Sequence, residues 1–544
     1  MIEQADYVIA GGGSAGCVLA NRLSADPRNR VLLLEAGPPS DIWQVKVPAF
    51  MRDLLPRTDL NWMYPTEPDA TMPAPDGTPR AIPWHAGKML GGGSAINGMV
   101  YIRGARRDYD AWVELGCTGW GWDDVLPYFC KSEDFDGAPS PAHGKGGELA
   151  VSHLRAVLPL ARTFLDACEQ VGLRRIADYC EGDIDGAYEP FATQRGGKRC
   201  SAAEAFITPI RSRKNLTVLT GALVDRVVFT GNRATGVRFS HQNRIFEVSA
   251  HAEVILCGGI AQSPALLMRS GIGPAAHLAS HGIAVLANRE QVGKNVHEHH
   301  SVPNARLVDA RTYNVRNLFT DGLAAADFAL RGRGMLTTCA VHAHAHARTS
   351  PDLEHPDIKM QLMPMWSHPE LREGRPAPAG TPDSEKRFGM AISCNLLNPK
   401  SRGEVRLRSA NPHDKPVIDL PMYAEHSDLE RMRKALQFAN RIWEAPALAS
   451  HVVGPAYPAD PGQSDAEWEA QIKAYSHVGY HASASCRMGG DEASVVDPRL
   501  KVRGVLGLRV ADASIMPIMP SANTNAPAIM IGEKCADMVL ADHR

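Results

Sequence analysis

The first forty residues change their hydrophobic period twice. A short, mostly apolar run from Tyr7 to Ala10 predicts a buried strand, which ends at the glycines that follow it. From Ser14 onward the apolar residues recur at helical spacing, and residues 30–37 (RVLLLEAG) return to the continuous apolar run of a second buried strand. Because a strand, a helix and a strand in this order normally form a parallel crossover, the pattern predicts a βαβ unit.

Three glycines occupy the turn from this strand into the helix, with the spacing Gly-x-Gly-x-x-Gly, and an acidic residue ends the second strand about 20 residues later. Glycines at this spacing allow a tight turn, close approach of a pyrophosphate and close packing of the helix, whose free N–H groups attract phosphate. The acid can accept hydrogen bonds from ribose hydroxyls. The unit therefore predicts a dinucleotide site, and its place at the start of a long chain favours FAD over NAD. The residues expected there are Gly11, Gly13, Ser14, Ala15, Gly16 and Glu35.

Two more glycine-rich segments follow. Residues 87–112 (GKMLGGGSAINGMVYIRGARRDYDAW) contain three consecutive glycines, whose ordering is entropically unfavourable, so they indicate a loop that lies against a phosphate or a flat ring. Residues 258–273 (GGIAQSPALLMRSGIG) follow a buried strand and end in a Gly-x-Gly turn. The chain thus approaches its cofactor at several points.

One histidine and two asparagines stand out near the end of the sequence. Residues 479–490 (GYHASASCRMGG) place His481 among small residues, and residues 520–530 (PSANTNAPAIM) supply Asn523 and Asn525. A single histidine is usually a satisfied or exposed side chain, and an asparagine before a helix often only caps it. Without further context, these residues are compatible with a catalytic and with a structural role.

Together these segments resemble the glucose–methanol–choline oxidoreductases, flavoproteins that oxidise alcohols. The first signature of that family is matched throughout residues 87–110, and the second is matched in residues 259–273 except at Ile260, where the family has a small residue. The resemblance is strongest at the two ends of the chain and weakest from 300 to 475. The bacterial choline-dehydrogenase-like and 5-hydroxymethylfurfural-oxidase-like members look most similar.

Two shorter segments extend the resemblance. Residues 291–300 (QVGKNVHEHH) are similar to a VGxNLxDH stretch of the family, with Glu298 in place of the aspartate. Residues 507–517 (GLRVADASIMP) look like its last flavin-binding strand. The resemblance therefore covers nearly the whole chain.

This resemblance implies FAD as the cofactor and assigns residues to its parts. It places Val224 near the adenine, and Asp512 and Ala513 beside the ribityl–phosphate chain. Some relatives attach the flavin covalently through a histidine at the position that is Ile96 here, so we predict non-covalent FAD. The residues that it places along the isoalloxazine are Gly91, Gly92, Ser94, Asn97 and Gly98.

Alcohol oxidation by a flavin needs a base for the hydroxyl proton and a polar group that holds the oxygen while hydride leaves the carbon. Histidine suits the first task because it titrates near neutrality. The resemblance implies that His481 is the base and Asn525 the donor to the oxygen, and Asn523 competes with Asn525 for that role. Tyr480 is expected to reach towards the substrate.

The candidate substrate domain carries weaker signals. Residues 358–366 (IKMQLMPMW) predict a central strand, from which Met363, Met365 and Trp366 are expected to line an apolar pocket, with core packing as an equally weighted alternative. The alternating histidines of AVHAHAHAR (340–348) predict the polar lining of a sheet, and we predict no metal site. The Pro- and Gly-rich residues 375–386 predict an entrance flap or a plain linker.

The predicted fold class is α/β, with a Rossmann-type FAD-binding domain and an inserted α+β substrate domain on an antiparallel sheet. Between the two, over the flavin ring, we expect the active site. Residues 1–155, 200–305 and 475–544 are assigned to the FAD-binding domain, and residues 156–199 and 306–474 to the substrate domain.

Composition removes several classes of function. The 58 basic and 60 acidic residues nearly cancel, which argues against a nucleic-acid partner. No apolar run is long enough for a transmembrane helix, and the few residues before the first strand do not form a signal peptide. Eleven cysteines without a CxxC pair predict reduced thiols and a cytoplasmic location. A homo-oligomer is compatible with all of this.

The favoured function is FAD-dependent oxidation of a primary alcohol to an aldehyde, with hydride transfer to flavin N5 and electrons passed to O2 or another acceptor. A non-redox lyase on the same scaffold and an NAD-dependent dehydrogenase are the alternatives. The sequence leaves open which alcohol is the substrate, and whether the enzyme is an oxidase or a dehydrogenase.

Overall fold

The computed structural model describes residues 3–74, 76–315, 318–368, 381–457 and 464–543. Two sheets organise this part of the chain, and helices pack around them. The α-helices span Ser14–Leu23, Trp43–Lys46, Met51–Leu54, Arg106–Glu114, Trp122–Ser132, Pro159–Gln170, Gly259–Arg269, Ala275–Ser280, Leu318–Arg331, His426–Glu444, Pro446–Ala449, Asp465–Tyr475 and Asn525–Asp542.

The first sheet is built on the predicted βαβ unit. Its first two strands pair in parallel, with Tyr7 opposite Val31 and Ala10 opposite Leu34. Nearly all of their side chains are buried, as the continuous apolar pattern predicts. In spatial order the strands are Leu216–Thr220, Val31–Glu35, Gln4–Ala10, Arg244–Leu256, Arg233–His241 and Ala222–Thr230, and Leu508–Val510 pairs with Arg244–Leu256.

The second sheet is antiparallel throughout the described residues. Its strand His300–Val308 crosses the predicted domain boundary at residue 305, and the short strand His477–Val478 pairs with it from beyond the predicted boundary at 475. In spatial order the strands are Ala187–Tyr188, Ala343–Ala347, Ile358–Met363, Gly389–Leu396, His300–Val308 and Val452–Tyr457. This arrangement confirms the predicted fold class.

The remaining strands form two-stranded pairs around these sheets. The pairs are Tyr64–Pro65 with Pro83–Trp84, Asp69–Pro73 with Pro79–Arg80, Val100–Tyr101 with Phe191–Ala192, Glu133–Phe135 with Leu149–Val151, Gln194–Arg195 with Lys198–Arg199, Ile272–Gly273 with Ala287–Asn288, and Glu404–Arg406 with Val417–Asp419.

The two faces of the second sheet differ in chemistry because side chains alternate along a strand. Ile358, Met360 and Leu362 share a buried apolar cluster with the helix His426–Glu444. The alternate positions Lys359 and Gln361 lie on the opposite face. Their cross-strand partners there are His346 and His344 on one side and Asn395 and Ser393 on the other. That face is polar although it is buried.

The last helix closes the molecule against the first. It begins at Asn525 and buries every residue from Ala526 to Ala536, together with Val539. In the Pro- and Gly-rich segment 375–386, residues 375–380 lie outside the described residues.

Candidate active site

A cavity of about 1040 Å³ connects the two sheets. The glycine loop after the first strand lines one end, and polar residues of the second sheet, among them Ser301, Gln361 and Asn395, line the other. His481, Asn523 and Asn525 all face it. Most of the sequence-predicted site residues thus converge on one space from separate segments of the chain.

The loop at Gly11–Gly16 has the shape that a pyrophosphate site requires. Gly11 has a φ of +113°, and a Cβ there would lie 2.3 Å from the carbonyl oxygen of Cys257. A Cβ on Gly13, which precedes the helix, would have no neighbour closer than 3.9 Å, so the loop is open towards the cavity. Gly11, Gly13, Ser14 and Ala15 line the cavity, whereas Gly16 packs against the carbonyl of Gly11.

Glu35 lines the cavity at the end of the second strand. Its Oε2 accepts a hydrogen bond from the Gly12 N–H at 2.9 Å and its Oε1 accepts one from the Gly37 N–H at 2.8 Å. Burial raises the pKa of this carboxyl, and the two backbone donors oppose that shift. The protein therefore holds the carboxylate where ribose hydroxyls would meet it.

The triple-glycine loop packs directly on the first glycine loop. The Gly91 N–H donates to the Gly12 carbonyl at 2.7 Å, and a Cβ on Gly92 would lie 2.8 Å from the Cα of Gly13. Gly93 has open space on its cavity side, with nothing within 4 Å of a Cβ built there. A flat group can therefore approach this backbone without displacing protein atoms.

Some of the other residues predicted in this loop line the cavity, and the rest hold the loop in place from behind. Gly92, Asn97 and Gly98 line the cavity, whereas Gly91 and Ser94 lie behind it. The Ser94 hydroxyl donates to the Gly91 carbonyl at 2.5 Å and accepts from the Ala202 N–H at 2.8 Å, so it braces the loop. Ser94 is therefore placed as support for the loop.

Val224, Asp512 and Ala513 line the same cavity, as the family resemblance implies. The Asp512 carboxylate is already bonded, because it accepts from the Gly259 N–H at 2.9 Å and the Ser263 hydroxyl at 2.6 Å. It therefore joins the second glycine-rich signature to the last strand of the first sheet.

His481 is positioned by the second sheet. Because Val478 pairs antiparallel with His300, Glu298 and His481 both lie beyond the same end of that pair and are brought together. The buried Glu298 carboxylate accepts the His481 N–H through both oxygens, at 2.8 and 3.0 Å, and the His299 N–H at 2.8 Å. Burial raises the pKa of Glu298 to about 8, against the backbone donors that favour its charged form.

The imidazole of His481 is oriented by a second histidine. His299 Nδ1 lies 3.1 Å from His481 Nδ1, with the two rings edge to face. Nε2 of His481 has no hydrogen-bond partner among the described residues and is therefore left for a ligand in the cavity. Burial, followed by the charge of Lys359, lowers the pKa of His481 well below its ordinary value. The ring is therefore neutral at neutral pH and can accept a proton.

The two asparagines have different neighbours. Asn525 begins the last helix, and its Oδ1 accepts the Ser14 hydroxyl at 2.7 Å, at the start of the first helix. Asn523 Oδ1 instead accepts from the Lys359 ammonium at 3.1 Å, on the polar face of the second sheet. Asn525 is therefore held beside the first glycine loop, and Asn523 is held beside the polar face of the second sheet.

Three of the four predicted pocket residues line the cavity. Met363 and Met365 do so, and Tyr480, whose ring lies 5.3 Å from that of His85, is 42% exposed beside His481. Trp366 does not. It is buried in a separate cluster with Ala305, Ala391, Ala456 and Tyr457, so its assignment to the pocket is corrected to core packing.

The alternating histidines lie in the second sheet, on the strand beside Lys359. His342 is occupied by the protein, because its Nδ1 accepts the Leu158 N–H at 3.1 Å and its Nε2 lies 2.9 Å from the Thr338 hydroxyl. His346 Nδ1 lies 3.2 Å from the Tyr188 hydroxyl. These histidines therefore form part of the polar face, as the alternation predicts.

Sequence reasoning gave no role at the site to Glu298, His299 or Lys359. Glu298 and His299 lie within the segment 291–300, whose spacing gives no indication that they contact His481. Lys359 did have a signal, because a lysine within the apolar run IKMQLM has no place in a core unless it serves a site. Asn523 was weighed and placed second to Asn525.

The fold and the cavity together define a dinucleotide-binding oxidoreductase with a substrate domain over the reacting end. The GMC oxidoreductase N-terminal family model matches residues 5–301, and the C-terminal model matches residues 399–532. The chain belongs to the GMC oxidoreductase family. This confirms the predicted resemblance and the predicted enzyme class, an FAD-dependent alcohol oxidoreductase.

Individual relatives cover the chain end to end. It is 38% identical to an alcohol dehydrogenase [acceptor] of Pseudomonas putida, over 98% of this chain and 95% of that protein. It is 36% identical to an oxygen-dependent choline dehydrogenase of Rhizobium johnstonii, over 99% and 96%. The crystal structure of a pyridoxine 4-oxidase from Mesorbium loti superposes with a TM-score of 0.87 at 33% identity, over 99% of this chain and 100% of that one.

Within the described ranges, none of the helices combines the length and the apolar character needed to cross a bilayer.

Proposed function

We propose that the protein oxidises a primary alcohol to the aldehyde, with His481 as the base. The observation that carries the proposal is the orientation of His481, whose Nδ1 is occupied by His299 while Nε2 is left for the cavity. If His481 donates its Nδ1–H to His299, the lone pair on Nε2 faces the substrate and takes the hydroxyl proton. Bound FAD supplies the hydride acceptor.

We propose Asn523, rather than Asn525, as the group that holds the alcohol oxygen. Its oxygen is engaged by Lys359, so its NH2 is free to donate into the cavity that it lines. A donor aimed at an oxygen that gains negative charge stabilises the transition state more than the ground state. Asn525 is proposed to tie the first and last helices together at the phosphate end.

The residues around the open loops fit FAD. The space beside Gly13 and Gly93 is proposed to take the pyrophosphate and the flavin ring, with Glu35 at the adenosine ribose. Ile96 lines the cavity at the position where some relatives carry a covalently bound histidine. We therefore propose non-covalent FAD, and acid precipitation of the protein should leave the yellow colour in the supernatant.

The test is anaerobic stopped-flow mixing of the holoenzyme with a panel of primary alcohols, following flavin absorbance. We expect bleaching with at least one alcohol and a loss of about 10²–10⁴-fold in its rate in His481→Ala. Asn525→Ala serves as the matched control, with a far smaller effect on the reduction rate than Asn523→Ala. Conversion of an alcohol without any bleaching would support the lyase alternative and contradict the proposal.

The electron acceptor and the location stay predictions. Parallel assays of hydrogen peroxide and of dye reduction decide between O2 and another acceptor. The cytoplasmic prediction rests on the cysteines, all eleven of which are described and free.

A further inference from the structure

Lys359 is a buried cation behind the proposed active site. It lies on the strand Ile358–Met363, between His346 and Asn395 of the neighbouring strands, and it is fully buried. It does not line the cavity. Lysine is almost never fully buried unless it is paired, because loss of hydration is strongly unfavourable for the charged form. Because burial of its ammonium is unfavourable, we expect Lys359 to have a role in the adjacent site.

The contact that Lys359 makes is to a residue that does line the cavity. Among the described residues, its ammonium makes one hydrogen bond, to Asn523 Oδ1 at 3.1 Å. A protonated ammonium can only donate, so it requires the amide oxygen of Asn523 to face it and turns the NH2 towards the cavity. A deprotonated amine can accept instead, which would allow the amide to rotate and present its oxygen to the substrate.

The surroundings of Lys359 contain one acid and several imidazoles. Burial lowers the pKa of Lys359 to about 7, and the charge of Glu298 opposes that shift. The pKa values of the nearby histidines are lowered as well, first by burial and then by the charge of Lys359. The titratable groups that face its ammonium are Glu298, His299, His344, His346 and His481.

We propose that Lys359 is a positioning residue, which holds the Asn523 amide with its NH2 towards the alcohol oxygen and strengthens that donor by its charge. The proposal rests on the proposed function of the site. A charge-assisted bond to the amide oxygen polarises the N–H groups on the other side of the same amide. Lys359 would thus act on the substrate through Asn523 without touching it.

A double-mutant cycle tests this coupling. Lys359→Met keeps the length of the side chain but removes the donor, and we expect the rate of flavin reduction by alcohol to fall about 10–100-fold, in kcat more than in KM. Asn523→Ala should have a similar effect. The double variant should be no slower than Asn523→Ala alone, because Lys359 acts through that amide. Additive losses, or a Lys359→Met rate within twofold of wild type, would overturn the proposal.

The pH profile supplies a readout that a merely structural role would not change. As pH rises, Lys359 loses its proton, so the wild type should lose activity well below the ordinary lysine pKa of about 10.4. Lys359→Met should lack this alkaline limb. Its acid limb should move to higher pH, because the charge that lowers the pKa of His481 is gone. An unchanged profile in the variant would contradict the assignment.

Crystal structures of the wild-type and Lys359→Met holoenzymes give a readout that needs no turnover. We expect the Asn523 amide to leave its wild-type rotamer in the variant. Flavin content and Tm should be preserved, because removing the buried charge also removes its desolvation cost, which offsets the lost hydrogen bond to Asn523. If the variant does not fold, Lys359→Gln keeps an uncharged donor and should show an intermediate rate. If the Asn523 amide keeps its wild-type rotamer in the variant, the inference is wrong. If none of the alcohols reduces the flavin of the wild-type enzyme, the proposed function is wrong.

Discussion

His481 follows a residue with an unfavourable backbone conformation. Tyr480, directly before it, has a φ of +64°, a region that residues with a Cβ seldom occupy. This conformation points the N–H groups of residues 480 to 482 at the Glu298 carboxylate. At the scale of single residues, a buried acid therefore stabilises the strained loop that presents the imidazole proposed as the base.

The bond between His299 and His481 gives the first prediction. An asparagine at position 299 places an acceptor close to where the imidazole Nδ1 lies, and a leucine does not. We therefore expect His299→Asn to reduce flavin within about threefold of wild type and His299→Leu to be about 10–100-fold slower, because loss of an orienting partner typically has effects of that size. Stopped-flow flavin reduction measures both.

Equal Tm and equal flavin content in the two variants serve as the control. If the leucine variant reduced flavin as fast as the asparagine variant, His299 would not orient the base.

At the scale of elements, the cofactor end is made by two glycine loops in contact with each other. The loop that follows the first strand and the loop of the first family signature meet through the Gly91–Gly12 hydrogen bond. The triple-glycine loop cannot carry a side chain at this contact, because a Cβ on Gly92 would be 2.8 Å from the Cα of Gly13. The two segments therefore depend on each other for their shape.

Adjacent glycines in this loop should respond differently to alanine. Gly92→Ala should lower both the stability of the apoprotein and FAD retention, since the methyl group meets backbone and φ is +52°. Gly93→Ala should leave apoprotein stability unchanged, since no protein atom lies within 4 Å, but should weaken FAD binding. Thermal unfolding of the apoprotein and FAD titration measure the two effects.

Gly322→Ala, at a helical site with open space, is the matched control; it should raise apoprotein stability by about 0.5–1 kcal/mol and leave FAD affinity unchanged. Full FAD affinity in Gly93→Ala would mean that the flavin does not lie along this loop.

At the scale of the whole molecule, the two ends of the chain are joined. Asn525 bonds Ser14, and the buried Glu533 of the last helix pairs with Arg22 of the first at 2.6 Å. Arg22 also pairs with Glu148. The dinucleotide fold is therefore complete only when the last helix has docked, and the proposed active site, to which the C-terminal segment contributes, forms with it.

The buried pair gives a stability prediction. Glu533→Gln leaves Arg22 with one partner fewer in a largely buried position, which typically lowers the free energy of unfolding by about 3 kcal/mol or more. The exposed pair Arg106–Asp123 offers a matched comparison, since Asp123→Asn should change it by less than about 1 kcal/mol. Chemical denaturation of the holoenzyme compares the two. Equal effects would show that the pair does not hold the last helix.

Much of the fold follows from local sequence. The βαβ unit, the glycine loops and Glu35 are encoded by short-range patterns, because apolar period and glycine spacing directly limit what the backbone can do. The glycine-rich signatures carried the family resemblance, and that resemblance implied the antiparallel substrate domain. The domain boundary at residue 305 was not, since the strand His300–Val308 continues through it without any change in composition.

The sequence by itself determined the cofactor loops and the candidate base, His481. Only the tertiary structure separates the two asparagines, since Asn523 meets Lys359 and Asn525 meets Ser14, and on that ground we propose Asn523 as the partner of His481. Glu298 and His299 likewise acquire their roles from strand pairing, and Trp366 leaves the pocket for the same reason. Contacts between residues far apart in the chain depend on register and packing, which local patterns do not encode.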